Sequence, residues 1–298
     1  MQFSTWGLSG TLATQSPSQL DFARTRLWHW IDLFDESCNR FRADSEISRL
    51  NAHGGAPFDL SPTLELALDA AVTACNATQG LCDPTVLPAL VALGYDRDYD
   101  QLASHHVVLG AALKSPGIAA LHLDREGHRV TLDRDCQLDL GASAKALVVD
   151  LVARDVAVHG GVVVELGGDV TVSGRGPQGP WIVAIADRLT LNGTEPRVYV
   201  AGGAIATSST VVRTWRAGDQ IVNHIVDPRT GSYARGPYAT ATVAAATCVL
   251  ANAFATAALL WGDDAAFHLT RAGCSGRLVR LDGSVEFVGG WPRDEVTT

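Results

Sequence analysis

The sequence predicts an α+β fold, and three observations point to it. Strand-like runs follow one another in blocks, at Val162 to Glu165, Val170 to Val172, Trp181 to Ala186 and Val198 to Ala201, where a βαβ chain would alternate them with helices. Helical periodicity is confined to separate stretches between those blocks. No linker of proline, serine or charge divides the 298 residues, and 47% hydrophobic content is enough for one large domain or two intimately joined ones. The whole chain, 1–298, is accordingly read as one domain.

Each element has a local reason. Ser16-Pro17 reads as a cap with proline in the first turn, and Leu20, Ala23, Leu27, Ile31 and Phe34 recur at spacings of three and four, predicting an amphipathic helix that ends near Cys38. Ser61-Pro62 opens a second helix with Leu64, Leu68, Ala71 and Cys75 on one side and Gly80 as its stop. The segment between them, Phe41 to Asn51, reads as a polar loop. Ala119 to Leu123 and Arg129 to Asp133 alternate as a hairpin around Asp124 to Gly127, and Ala142 to Val158 reads as a helix closed by Gly160-Gly161. A strand from Thr240 to Ala245, a helix from Ala251 to Trp261 and a hairpin through Asp282-Gly283 complete the chain.

Composition excludes several classes of function. The net charge of −9 is spread along the chain and forms no basic stripe, so nucleic acid is not an expected partner. The six cysteines, at 38, 75, 82, 136, 248 and 274, include no CxxC pair and no zinc-ligand spacing, and read as buried free thiols. Without a basic, apolar leader or a long uncharged apolar run, no membrane span is expected, and the chain is placed in the cytoplasm, where thiols stay reduced.

Five segments could carry chemistry. His224-Ile225-Val226-Asp227-Pro228-Arg229-Thr230-Gly231 crowds an imidazole, a carboxylate, a guanidinium and a hydroxyl onto one turn; His224 reads as a base for a hydroxyl proton or as a satisfied core group. Leu138 to Lys145 leads through small residues into a helix, where open amides and the Lys145 charge would attract a phosphate, unless it is a plain turn with a surface lysine. Leu166-Gly167-Gly168-Asp169 is a tight turn or a ligand loop, and Asp83-Pro84-Thr85 a helix start or a binding element. Ala206 to Thr210 offers four hydroxyls to a polar pocket or a turn.

In order and wording these segments resemble one family. Phe41 to Asn51 is similar to its aromatic-x-x-Asp-Ser-Glu-Ile-Ser-x-x-Asn segment, Cys82 to Val86 to its Asp-Pro-Thr-Val element, and Leu138 to Lys145 to its Asp-Leu-Gly-Gly-x-Ala-Lys loop. Leu166 to Asp169, Ala206 to Ser208, His224 to Gly231 and Leu250 to Ala257 resemble its Leu-Gly-Gly-Asp, Ala-Thr-Ser, His-Ile-x-Asp-Pro-x-Thr-Gly and Ala-Asp-x-x-Ala-Thr-Ala motifs. The family is the ApbE-type FAD:protein FMN transferases. The resemblance implies an α+β, two-lobed fold with mixed or antiparallel sheets, flanking helices and an FAD cleft between the lobes. It also implies an enzyme that uses FAD and Mg2+ to transfer FMN to a Thr or Ser hydroxyl of an acceptor flavoprotein, releasing AMP. An FAD pyrophosphatase giving FMN and AMP would use the same residues; an FAD-binding storage protein is a third reading.

Carried over residue by residue, the resemblance makes His224 the base. It assigns Phe41, Leu81, Cys82, Asp83, Asp139, Lys145 and Val226 to FAD, and the Ala142 carbonyl, Asn252 and Thr256 to the metal. Asn252 stands where the family carries an aspartate, and Ala255 where some members carry a second. Residues four apart share a helix face, so Asn252 and Thr256 still present two oxygens together, but a neutral amide weakens a magnesium site. Ala146, Ser209 and Glu165 also depart from the family pattern.

Overall fold

The structure is a computed structural model and describes residues 1–102, 107, 109–187 and 195–293. They gather into two compact units, one formed by Met1–Trp30, Lys145–Val212 and Arg235–Thr298 and the other by Ile31–Ala144 and Arg213–Ala234.

The first unit is built on an eight-stranded antiparallel sheet. Its strands stand in the order Gln2–Thr5, Leu8–Thr14, Val162–Leu166, Asp169–Ser173, Gly203–Ser209, Tyr238–Ala245, Ser275–Arg280 and Val285–Val288. Alternation along the strands sorts side chains between two faces. Val170, Val172 and Ile205 point to one face and pack with Trp181, Val183 and Val198 of the hairpin Trp181–Ala184/Arg197–Val200. Asp169, Thr171 and Ser208 point to the other, toward the helices Ala144–Ala157 and Cys248–Trp261.

The helix Cys248–Trp261 is buried nearly all round, and alanines at 251, 253, 255, 257 and 258 let it lie close on the sheet. Two side chains hold its start. Thr247 accepts from the Leu250 amide, and the Asp150 carboxylate accepts from the amides of Cys248 (2.9 Å) and Val249 (3.2 Å) as well as from the Thr171 hydroxyl (2.7 Å). A carboxylate against the amides of a first turn satisfies orphan donors and meets the positive end of the helix dipole.

The second unit combines short helices at Glu46–Asn51, Pro62–Ala77, Leu87–Ala92 and Tyr99–Leu102 with small antiparallel pairings. These are the sheet Phe58–Asp59/Arg129–Leu132/Leu121–Asp124 and the hairpins Thr214–Ala217/Gln220–Asn223 and Val226–Asp227/Ser232–Tyr233. Leu90, Leu93, Tyr95, Trp215, Val222 and Val226 share a core in which the Trp215 indole donates to the Leu93 carbonyl at 2.9 Å.

Most expected elements are present, including antiparallel sheets with flanking helices. Three differ. The loop expected over Phe41 to Asn51 contains the helix Glu46–Asn51, because Ser45 caps it by accepting from the Ser48 amide. The hydroxyl row at 206–210 falls largely in the strand Gly203–Ser209 and not in a turn; Thr207 pairs across the sheet with Thr242 at 2.9 Å. The last long helix starts at Cys248 and not Ala251, since Asp150 secures its first amides.

All six cysteines are free thiols, five of them buried. Burial pushes Cys75 and Cys82 up to about 12 and Cys136 to about 11.

Removing the Asp150 cap strands two buried amides and the Thr171 hydroxyl. Asp150→Ala is expected to lower unfolding stability by roughly 1–3 kcal/mol, read from the urea midpoint, with Asp150→Asn losing less because one acceptor remains. An unchanged midpoint in Asp150→Ala would show that the cap contributes nothing.

Candidate functional site

In the second unit the Asp-Ser-Glu-Ile-Ser-x-x-Asn motif is a scaffold. Ser45 caps its helix, Glu46 accepts from the Ser61 amide at the start of the next helix, and Ile47 and Leu50 enter the core. Asn51 clamps Leu138 on both sides, donating to its carbonyl (2.9 Å) and accepting from its amide (2.8 Å). The next residue, Asp139, donates its amide to the Pro84 carbonyl at 2.8 Å. Three of the expected binding segments, 41–51, 81–86 and 138–145, are thereby tied together through the Asn51 side chain and one backbone bond.

Asp139 is occupied. Its Oδ1 accepts from the Gly141 amide (2.8 Å) and its Oδ2 from Arg40 Nε (2.5 Å). The Arg40 guanidinium lies over the Phe41 ring (4.1 Å to the centroid) and the Tyr95 ring (4.7 Å), two rings that also touch each other. Its side chain is only 9% exposed, and Nη2 is buried without a hydrogen-bond partner among the described residues, which is costly for a charged group. Arg40 lies outside the residues expected from sequence; its place beside Phe41 was the only available signal.

Leu81, Cys82 and Asp83 are nearly fully buried after the helix Pro62–Ala77. The Cys82 amide donates to the Thr78 hydroxyl at 2.9 Å, and Asp83 Oδ1 accepts from both the amide (2.9 Å) and the hydroxyl (2.8 Å) of Thr85. Asp83 is thus the helix-start residue of one reading. Burial raises its pKa above the usual carboxylate range, against the opposing Thr85 hydrogen bonds.

The turn after His224 sorts its own side chains. Asp227 accepts from the Arg229 amide (2.9 Å), Nε (2.9 Å) and Nη2 (2.8 Å), while its carbonyl takes the Thr230 and Gly231 amides. Burial pushes Asp227 up, but the Arg229 bonds and charge outweigh it and leave the carboxyl below its usual range. Gly231 has φ +72°, and a Cβ there would stand 2.1 Å from the Leu113 carbonyl oxygen, so only glycine fits. Asp227, Arg229, Thr230 and Gly231 therefore shape the turn. His224, half-buried, and Val226, buried, follow Asn223, which accepts from the Ile225 amide (3.1 Å) and donates to the Ala234 carbonyl (3.0 Å).

The first unit carries a second cluster. Asp169, 1% exposed, accepts from Lys145 Nζ on Oδ2 and from Asn252 Nδ2 on Oδ1, each at 2.7 Å. Lys145 is not the surface lysine of the plain-turn reading. One helical turn beyond Asn252, the Thr256 hydroxyl shares a hydrogen bond with Ser208 at 3.0 Å. Glu165 faces the opposite side of the sheet from Asp169, and burial raises its pKa although the Gly168 amide and Thr11 pull the other way.

Among the described residues no group of three or more His, Cys, Asp or Glu side chains could hold a metal ion. The expected donors are all neutral: the Ala142 carbonyl, the Asn252 amide oxygen and the Thr256 hydroxyl. The carboxylate bonded to Asn252, Asp169, is already matched by Lys145. Such a set fits a hard cation that arrives with substrate phosphates and is poorly suited to a bare one.

Comparison with known proteins agrees with these motifs. The model of the ApbE family matches residues 7–285. The FAD:protein FMN transferase of Chlamydia muridarum is 30% identical over 254 residues, 82% of this chain and 77% of that protein. That of Vibrio cholerae is 27% identical over 260 residues, 84% of this chain and 76% of its relative. In fold, the chain is similar to the ApbE protein of Thermotoga maritima, with TM-score 0.83 at 22% identity over 97% of this chain and 96% of that one. It is also similar to the apo flavinyl transferase ApbE of Pseudomonas stutzeri, with TM-score 0.78 at 21% identity over 97% and 92%. With its motifs in order, its antiparallel sheet in the same fold and its sequence matched almost end to end, the chain belongs to the ApbE family.

Proposed function

We propose that this chain is an FAD:protein FMN transferase, moving FMN from FAD to a Thr or Ser hydroxyl of an acceptor protein and releasing AMP. The observation that carries the reading is the loop Leu138–Lys145. It is clamped by Asn51, joined to the Asp83-Pro84-Thr85 element, and ends in an ammonium held in place by a buried carboxylate. Such construction fits a loop that must meet a phosphate at a fixed point.

In the proposed reaction the acceptor hydroxyl oxygen forms a bond to the FMN phosphorus, and the bond from that phosphorus to the bridging oxygen breaks. His224 takes the hydroxyl proton, and AMP leaves with the bridging oxygen. Lys145 neutralises phosphate charge. Leu81, Cys82, Asp83 and Val226 contact the nucleotide largely through backbone, and Phe41 and Asp139 complete the binding set. Asn252, Thr256 and the Ala142 carbonyl would hold Mg2+, which supplies charge neutralisation at the phosphates when bound. A compartment holding reduced thiols and FAD, such as the cytoplasm, suits this chemistry.

Incubation with FAD, Mg2+ and a threonine-bearing acceptor domain is expected to give a covalently fluorescent acceptor band. Its absence, with or without release of FMN and AMP, would overturn the transferase reading. His224→Ala is expected to slow transfer by about 100-fold or more while FAD binding changes by less than about threefold. A comparable loss of FAD affinity would instead make His224 a binding residue.

Arg40→Ala should weaken FAD binding by about tenfold, because Asp139 is left as an unpaired, partly buried carboxylate near the dinucleotide. Arg40→Lys should recover only part, since an ammonium cannot both pair with Asp139 and lie flat over two rings. Fluorescence titration of FAD measures both; equal affinity in all three proteins would remove Arg40 from the binding set.

A further inference from the structure

Asp169 joins Lys145 and Asn252 into one cluster. Its two oxygens have different partners: Oδ2 takes the Lys145 ammonium and Oδ1 takes the Asn252 amide nitrogen, each at 2.7 Å. A carboxylate accepts but cannot donate, so it can engage only the NH2 end of an asparagine amide. With Nδ2 committed, the Asn252 carbonyl oxygen is the end left for another partner. Thr256 stands four residues along the same helix, its hydroxyl steadied by Ser208.

We propose that Asp169 is a positioning residue: it fixes Lys145 and orients Asn252 so that the amide oxygen, with the Thr256 hydroxyl, is presented to a divalent cation held by nucleotide phosphates. This rests on the proposed use of FAD and Mg2+. The charge balance gives it further content. Lys145 and Asp169 cancel and Asn252 and Thr256 are neutral, so these four side chains offer a cation oriented dipoles without net charge of their own. Cation binding then depends on the phosphates of the nucleotide.

The arrangement also makes Asn252 the complement of Asp169. An acid at 252 would place a second carboxylate against Asp169 with one lysine for both, and one of the pair would need a proton or a cation. Exchanging the two residues, Asp169→Asn with Asn252→Asp, restores one donor amide facing one acceptor carboxylate, with the charge now carried by the helix beside Thr256.

The test uses the full-length protein and Mn2+, counted as free ion by electron paramagnetic resonance, with and without ADP as a pyrophosphate that carries no transferable FMN. Wild type is expected to bind Mn2+ at least about tenfold more tightly with ADP than without. Asp169→Asn should lose most of that gain. Asn252→Asp should bind Mn2+ about tenfold better without ADP, and its thermal midpoint should fall in EDTA and recover with Mn2+. The exchanged double variant should keep the nucleotide-free Mn2+ affinity while melting normally in EDTA.

A purely structural Asp169 would lower the melting temperature of Asp169→Asn and leave its Mn2+ affinity with ADP unchanged, which overturns the proposal. So does an Asn252→Asp protein whose stability and Mn2+ affinity match wild type. If wild type binds neither FAD nor ADP, the transferase reading fails, while the nucleotide-free behaviour of Asn252→Asp and of the double variant still decides whether Asp169 and Asn252 are coupled as described.

Discussion

A buried carboxylate has to be answered by donors, and in the first unit two such carboxylates fix how the long helices meet the sheet. Asp169 rises from a central strand and is met by Lys145 and Asn252; Asp150 lies on the helix Ala144–Ala157 and is met by Thr171, Cys248 and Val249. An unmatched charge at either place would cost several kcal/mol. Together the two acids tie the first turns of both helices to one strand. The alanine-rich face of Cys248–Trp261 supplies close packing but little directional information, since small side chains slide easily over a sheet. Direction comes from the polar contacts, and these are the ones that place Asn252 and Thr256.

The second unit solves a related problem with backbone. The Asn51 side chain acts as a two-sided clamp on the Leu138 backbone, and the Pro84 carbonyl receives the Asp139 amide, adding polar bonds to the burial of Leu138 and Leu140. Arg40 works differently: it gives one nitrogen to Asp139 and its flat face to Phe41 and Tyr95. The net charge of −9 would disfavour a substrate as anionic as FAD. Two of the acids in the motif segments are matched by cations, Asp139 by Arg40 and Asp169 by Lys145.

Much of this was legible in the sequence wherever a local rule governs. Ser16-Pro17, Ser61-Pro62 and Asp83-Pro84 announce helix starts, and period-two runs announce the strands on either side of Gly167-Gly168. Membership of the family was legible through motif wording. What stayed hidden depends on partners distant in sequence. The start of the last long helix is set by an acid 98 residues away, and Lys145 is withdrawn from the surface by one 24 residues away. The strand Gly203–Ser209 was obscured by its hydroxyls, which look like turn chemistry until Thr207 and Ser208 find Thr242 and Thr256. In the turn after His224 the crowd of reactive groups proved mostly self-engaged, with Asp227 accepting from Arg229 and its carbonyl from Thr230 and Gly231.

The thiols have a practical side. Five of the six are buried, and burial raises the pKa of every one, including the partly buried Cys38, which disfavours the thiolate. The native protein is thus expected to react slowly with maleimides and iodoacetamides. A single cysteine introduced at an exposed position, such as Val158 or Tyr199, becomes its only reactive handle. Spin labels or fluorophores can be attached there without first stripping out the natural cysteines, whose removal would hollow the core they help to fill.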